Sequence, residues 1–143
     1  MEKAALLVIG LSFVMTGDDV QNESKKLEGT WDVVSLEVDG KLQPKEKLAK
    51  QLIFGSGTLR GLGPPMTFVL DVSRTPEWID LVFKKGNQSF PIHAIYDLKD
   101  DDLRICMPVA EPKVLFENKR PEDFLTNGKL VALLKAKRVT KKE

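Results

Sequence analysis

One cysteine, Cys106, and one histidine, His93, are all that 143 residues offer of the two side chains most used for staples, soft metals and activated nucleophiles. A lone cysteine excludes an intramolecular disulfide and any Cys-based structural zinc site. A lone histidine cannot belong to a two-histidine metal site. No Gly-x-Ser-x-Gly is present, so a Ser–His–carboxylate arrangement has no local signature. Charge of one sign is also lacking. Twenty-two Lys and Arg stand against 21 Asp and Glu, a net charge of +1, which gives no bulk field to draw the protein onto nucleic acid or anionic lipid.

Other absences narrow the chemistry further. The glycines at 55, 57, 61 and 63 lack the terminal Gly-Lys-Ser/Thr of a phosphate loop and run into Pro64-Pro65 where a helix would be needed. They read as a hairpin or mouth loop. Asp100-Asp101-Asp102 lacks the spaced ligands, central glycine and closing glutamate of an EF-hand, and reads as a charged hairpin tip. His93 and Cys106 fall on neighbouring predicted strands, but nothing electropositive in the pattern activates the thiol. We therefore expect no catalytic residue, metal or cofactor, and no enzyme.

A long hydrophobic run is missing too. Ala4 to Met15 is apolar, follows Lys3 and breaks at Thr16-Gly17 before Asp18-Asp19. A bilayer-spanning helix needs roughly 20 apolar residues, whereas a secretory h-region needs about 7–15. Residues 1–17 thus read as a signal peptide and predict an exported protein, periplasmic, cell-envelope or extracellular, with no membrane span in the mature chain. No cysteine follows the run, which excludes a lipoprotein anchor there. Residues 18–26, DDVQNESKK, read as a flexible leader, and 27–143 as one domain of a size that closes a core without staples.

What is present is period-two alternation. Thr30 to Val38 is rich in β-branched residues and ends at Asp39-Gly40, a hairpin-turn dipeptide. Met66, Phe68 and Leu70 share one face of a strand, and Ile79, Leu81 and Phe83 share one face of the next, with Trp78 and Asp80 opposite. Phe90, Ile92, Ala94 and Tyr96 form a third such face. Leu103, Ile105 and Met107 follow, and Lys129 to Arg138 supplies a last strand. Pro44 to Gln51, with Leu48 and Leu52 four apart, predicts one short helix. Residues 108–124, rich in proline, predict an irregular excursion. Seven or eight short strands with one helix are the pattern of an all-β antiparallel barrel or sandwich, and closure is favoured because it removes the edges.

Several motifs together, Leu27-x-Gly29-Thr30-Trp31, Leu70-Asp71, Pro76-x-Trp78-Ile79-Asp80, Ile95-Tyr96-x-Leu98, Leu103-x-x-Cys106 and Arg120-Pro121-x-x-Phe124, resemble a lipocalin-like paralogous family expanded in planctomycete bacteria. The resemblance runs from about Leu27 to Arg138. It implies an exported lipocalin-like barrel of about eight strands, and no established activity comes with it. In lipocalins the Gly-x-Trp tryptophan closes the barrel floor against a basic residue near the chain end. That gives Gly29 and Trp31 a floor role, with Arg138 or Arg120 as the partner.

Two functional readings follow. One is a noncatalytic binding protein that takes a small apolar or amphipathic ligand in the barrel, lined by Phe68, Leu70, Trp78, Phe90, Ile92 and Tyr96. The other is a protein-interaction module or inhibitor acting through the 108–124 loop, with Val114, Leu115 and Phe116 as its apolar contacts. The basic C-terminus, Lys135, Lys137, Arg138, Lys141 and Lys142, reads as a solvated strand face and tail, since export disfavours nucleic acid.

Overall fold

The computed structural model describes residues 17–109 and 119–140. The apolar run read as a signal sequence lies outside the described residues, as do Val114, Leu115 and Phe116. Helix α1 (Gly17–Leu27) leads into nine strands: β1 (Gly29–Val38), β2 (Lys41–Leu42), β3 (Gln51–Phe54), β4 (Thr58–Arg60), β5 (Met66–Asp71), β6 (Glu77–Lys85), β7 (Gln88–Lys99), β8 (Asp102–Pro108) and β9 (Val131–Arg138). Each of β3 to β9 is antiparallel to the next. β1 closes the ring by pairing with β3 on one side, from Gly29 opposite Phe54, and with β9 on the other, from Trp31 opposite Arg138 to Val38 opposite Ala132. Eight strands form a closed antiparallel barrel, and β2 adds a two-residue extension to β1. A bulge between Val33 and Ser35 bends β1, which lets it leave β3 and take up β2.

Alternation delivers the core as expected. Met66, Phe68 and Leu70, then Ile79 and Leu81, then Ile92, Ala94 and Tyr96, are buried in one contiguous cluster with Trp31, Leu103, Ile105 and Leu134. The antiparallel register fixes which turns share an end. The starts of β1, β4, β6 and β8 and the ends of β3, β5, β7 and β9 gather at one end, here the floor. The β1–β2 turn, the β6–β7 turn and the segment entering β9 gather at the other, the mouth.

Three local expectations change. The helix predicted from Pro44 is a single 3-10 turn, Lys45–Lys47, followed by strand β3. Leu52 and Phe54 are buried while Ile53 is exposed, so period two wins over the i, i+4 spacing of Leu48 and Leu52. The glycine-rich stretch holds a further strand, β4. The polar segment read as a flexible leader is helix α1. It packs on β5, and Val20 and Leu27 join the core.

Candidate functional site

Of the residues expected to line the barrel, Phe68, Leu70, Ile92 and Tyr96 are buried in the interior. The interior is graded along the barrel axis. Toward the floor and middle, Trp31, Leu52, Leu59, Ile79, Leu81 and Ile105 are all almost fully buried, so side chains fill that part of an eight-stranded barrel. Toward the mouth the same inward faces end in half-buried residues: Leu36, Leu62, Phe83, Phe90 and Met107. Phe83 and Phe90 are cross-strand partners whose rings stack with centroids 5.3 Å apart. An apolar mouth therefore stands above a filled middle; at the floor end Val72 and Leu98 are half-buried as well, beside α1 and the clefts there.

Trp78 is not part of that lining. Because Ile79 and Leu81 point inward, Trp78 points outward, which is a correction to its placement in a barrel pocket. Its ring packs with Ile95, Cys106, Leu133, Phe124 and Val131 in a second, smaller cluster on the outer wall. Arg120 and Arg74 both lie against it, with guanidinium carbons 3.9 and 4.1 Å from the ring centroid. The segment after residue 118 is clasped to the wall by the same groups. Arg120 donates to the Ala94 carbonyl at 2.8 Å and sits 2.8 Å from Asp80 Oδ1, and Arg104 stacks on Phe124 at 4.0 Å. Trp78, Cys106, Arg120 and Phe124, scattered among three of the quoted motifs, thus meet in one place. Nothing in the sequence pattern marks the roles of Arg74 and Arg104.

The floor assembles Gly29, Trp31 and Arg138. Strand register puts Arg138 opposite Trp31, with its guanidinium 4.3 Å from the indole. Arg120, the alternative, is on the outer wall. Arg138 also donates to the carbonyls of Lys26 (2.7 Å) and Glu28 (3.3 Å) and to Asp101 (3.0 Å). Two of these acceptors lie at the end of α1 and just beyond it, where helix carbonyls lack internal partners. Trp31 Nε1 donates to the Leu27 carbonyl at 2.9 Å. Gly29 adopts φ +129°, a backbone conformation that glycine tolerates. The Tyr96 hydroxyl donates to Glu23 at 3.2 Å. Burial, reinforced by the Glu23 and Glu77 carboxylates, pushes the pKa of that phenol well up.

Among the described residues no constellation for covalent catalysis forms around the lone histidine. His93 Nδ1 lies 3.0 Å from Asp80 Oδ1, which Arg120 shares, and among the described residues no hydroxyl or thiol is hydrogen-bonded to His93. Ser89 is four residues up the same strand, about 13 Å away. Cys106 is buried, and burial, with Asp123 nearby, pushes its thiol up to about 11. The thiolate is therefore scarce at neutral pH. No group of three or more His, Cys, Asp or Glu among the described residues is arranged to hold a metal ion.

Two open clefts near the floor share Glu77. One, of about 520 Å³, carries acids and bases together, including Glu23, Lys26, Lys99 and Arg138. The other, of about 240 Å³, runs past Arg74, Tyr96 and Asp97. Burial, then the neighbouring Glu23 and Asp97, raises the pKa of Glu77. A third cleft, of about 500 Å³, opens where β1 parts from β3, between Val34 and Leu48. No protein-family model matches the chain, and neither the curated proteins nor the solved structures contain a significant match to it.

Proposed function

We propose that this is an exported, noncatalytic binding protein that takes a small apolar or amphipathic ligand at the mouth of its barrel. The observation that carries the reading is the gradient of the interior face. It is fully buried around Trp31, Ile79 and Ile105 and half-buried at Leu36, Phe83, Phe90 and Met107. α1 covers the floor, and no α-helix among the described residues lies across the mouth. A ligand there would complete the burial of the Phe83–Phe90 stack, each half-buried ring offering on the order of 1 kcal/mol for the part still exposed. The apolar run before Asp18 and the resemblance to an exported barrel family support the location.

The test is a titration with an environment-sensitive apolar probe such as an anilinonaphthalene sulfonate, followed by its fluorescence. Saturable binding at one site is expected, weakened roughly tenfold or more by Phe90→Asp, in a variant whose circular dichroism matches the parent. Absence of saturable binding, or parental affinity in both the Phe90→Asp and Phe83→Ser variants, would sink the reading. The intact mass of the mature protein tests export separately, with a start near Asp18 expected.

A further inference from the structure

We infer that the mouth end of the barrel is a docking face for an anionic lipid surface, with exposed leucines as the inserting groups and a rim of unpaired lysines as the attracting ones. Two turns there are latched to each other. Thr126, buried, accepts from the Gly40 N–H at 2.8 Å and donates to the Glu37 carboxylate. Asp39 in turn accepts from the Gly128 N–H at 2.7 Å. The latch brings Leu42 beside a distant segment that carries Leu125 and Leu130, and the three are 71%, 67% and 60% exposed. Single exposed leucines are ordinary, but three gathered on one fixed corner form an apolar surface that wants a partner.

Charge decides what that partner is. Lys41, Lys45, Lys47, Lys50, Lys84 and Lys85 all stand at or near this end, on β2, the 3-10 turn that follows it, the entry to β3 and the β6–β7 turn. None of the six makes an ion pair among the described residues. Glu37, Asp39 and Glu46 share the end, the first two engaged in the latch; Asp32 lines a cleft with Lys45 and Lys50, and Asp123 beside Leu125 is neutralised by Lys129. Six lysines against Glu37, Asp39, Glu46 and Asp32 leave a surplus of two positive charges, to which the Asp123–Lys129 pair adds none, in a chain whose whole net charge is +1. At the floor, by contrast, Lys26, Arg74, Lys137 and Arg138 are matched to Glu23, Asp71, Asp102 and Asp101. Exposed aliphatic groups ringed by lysines fit the boundary between anionic headgroups and acyl chains. No described helix is long and apolar enough to cross a membrane, and the contact we infer is peripheral. This goes beyond the ligand reading and stands without it.

Co-sedimentation of the protein starting at Asp18 with vesicles tests the proposal, comparing phosphatidylcholine alone with a mixture of roughly three parts phosphatidylcholine to one part phosphatidylglycerol. More protein is expected to pellet with the anionic vesicles, by about tenfold or more, and the increment is expected to shrink as salt rises from about 0.02 to 0.5 M. Lys84→Glu/Lys85→Glu should remove most of it, and Leu42→Ser/Leu130→Ser should cut binding several-fold while the melting curves stay parental. Lys99→Glu changes charge at the floor and should leave binding unchanged. If the mouth variants sediment as the parent does, or if Lys99→Glu loses as much as they do, the assignment is overturned. It is equally overturned if the leucine variants abolish a self-association seen by light scattering, because the face then belongs to a second copy. The naphthalene sulfonate titration without vesicles reads the ligand site independently, so the two proposals fail separately.

Discussion

Replacing Arg138 by alanine removes four contacts at once, and the structure lets their sum be worked out. The guanidinium lies 4.3 Å from the Trp31 centroid, a stacking worth about 0.5–1 kcal/mol at a partly exposed site. It donates to the Lys26 and Glu28 carbonyls. Each such bond contributes on the order of 1 kcal/mol or less here, because the side chain is 25% exposed and water can replace part of it. The ion pair to Asp101, itself 58% exposed, adds at most about 0.5 kcal/mol. The expected loss is about 2–3 kcal/mol, or roughly 10 °C in melting temperature for a domain of this size. Urea unfolding followed by tryptophan emission measures it. Arg138→Lys keeps the charge but not the fork that spans two carbonyls, and should lose about half as much. Asp101→Asn should lose little. If Arg138→Ala falls within about 0.5 kcal/mol of the parent, Trp31 packing alone holds the floor and the arginine clasp contributes nothing. An Arg138→Lys variant indistinguishable from the parent would equally refute the role given to the fork.

Three further outcomes are expected. Glu77 has a raised folded-state pKa, so the fold favours its protonated form. That contribution is present below the ordinary carboxylate range and is lost as pH rises through the folded value. Glu77→Gln should therefore raise the melting temperature slightly at pH 7 and not at about pH 3; an equal gain at both pH values would show that packing, not titration, is responsible. Cys106, with its thiol pushed up to about 11, should resist Ellman's reagent in the native state near pH 8 and react at once in denaturant, and rapid native labelling would contradict its burial. At Gly61, with φ +118°, an added Cβ would collide with the Gln51 carbonyl oxygen. Gly61→Ala should cost about 2 kcal/mol or more in urea unfolding, and a neutral result would mean the β3–β4 edge yields.

Strands with three or more inward apolar residues are legible in the sequence because alternation alone marks them: β5 with Met66, Phe68 and Leu70, and β6 with Ile79, Leu81 and Phe83. Strands β3 and β4, of four and three residues, are too short to show a period. The run Pro44 to Gln51 reads helical locally and yields to the barrel, which needs Leu52 and Phe54 inside. Helix α1 is hidden for the opposite reason. Its composition is polar, and it is secured by groups far along the chain: Arg138 at its end, Tyr96 against Glu23, and the core around Leu27. Trp78 shows a third kind of miss. Its parity already puts it outside, but its size suggests a pocket, and the residue that covers it, Arg120, lies 42 positions away, a separation at which no local pattern points to it.

Both tryptophans end up in the same chemistry, an indole covered by an arginine that also binds backbone carbonyls or a carboxylate. In a chain without disulfides these two clasps join sequence-distant segments, one tying the chain end to α1 and β1 and the other the excursion after residue 118 to β6 and β7; the latch of Thr126 and Gly128 onto the β1–β2 turn joins two more at the mouth. The wall is least paired around β4, since β3–β4 and β4–β5 share only two paired positions each while β6–β7 shares nine. Local opening costs least where few hydrogen bonds and contacts must break. The barrel is thus expected to yield first beside β3, β4 and the Gly61–Gly63 loop.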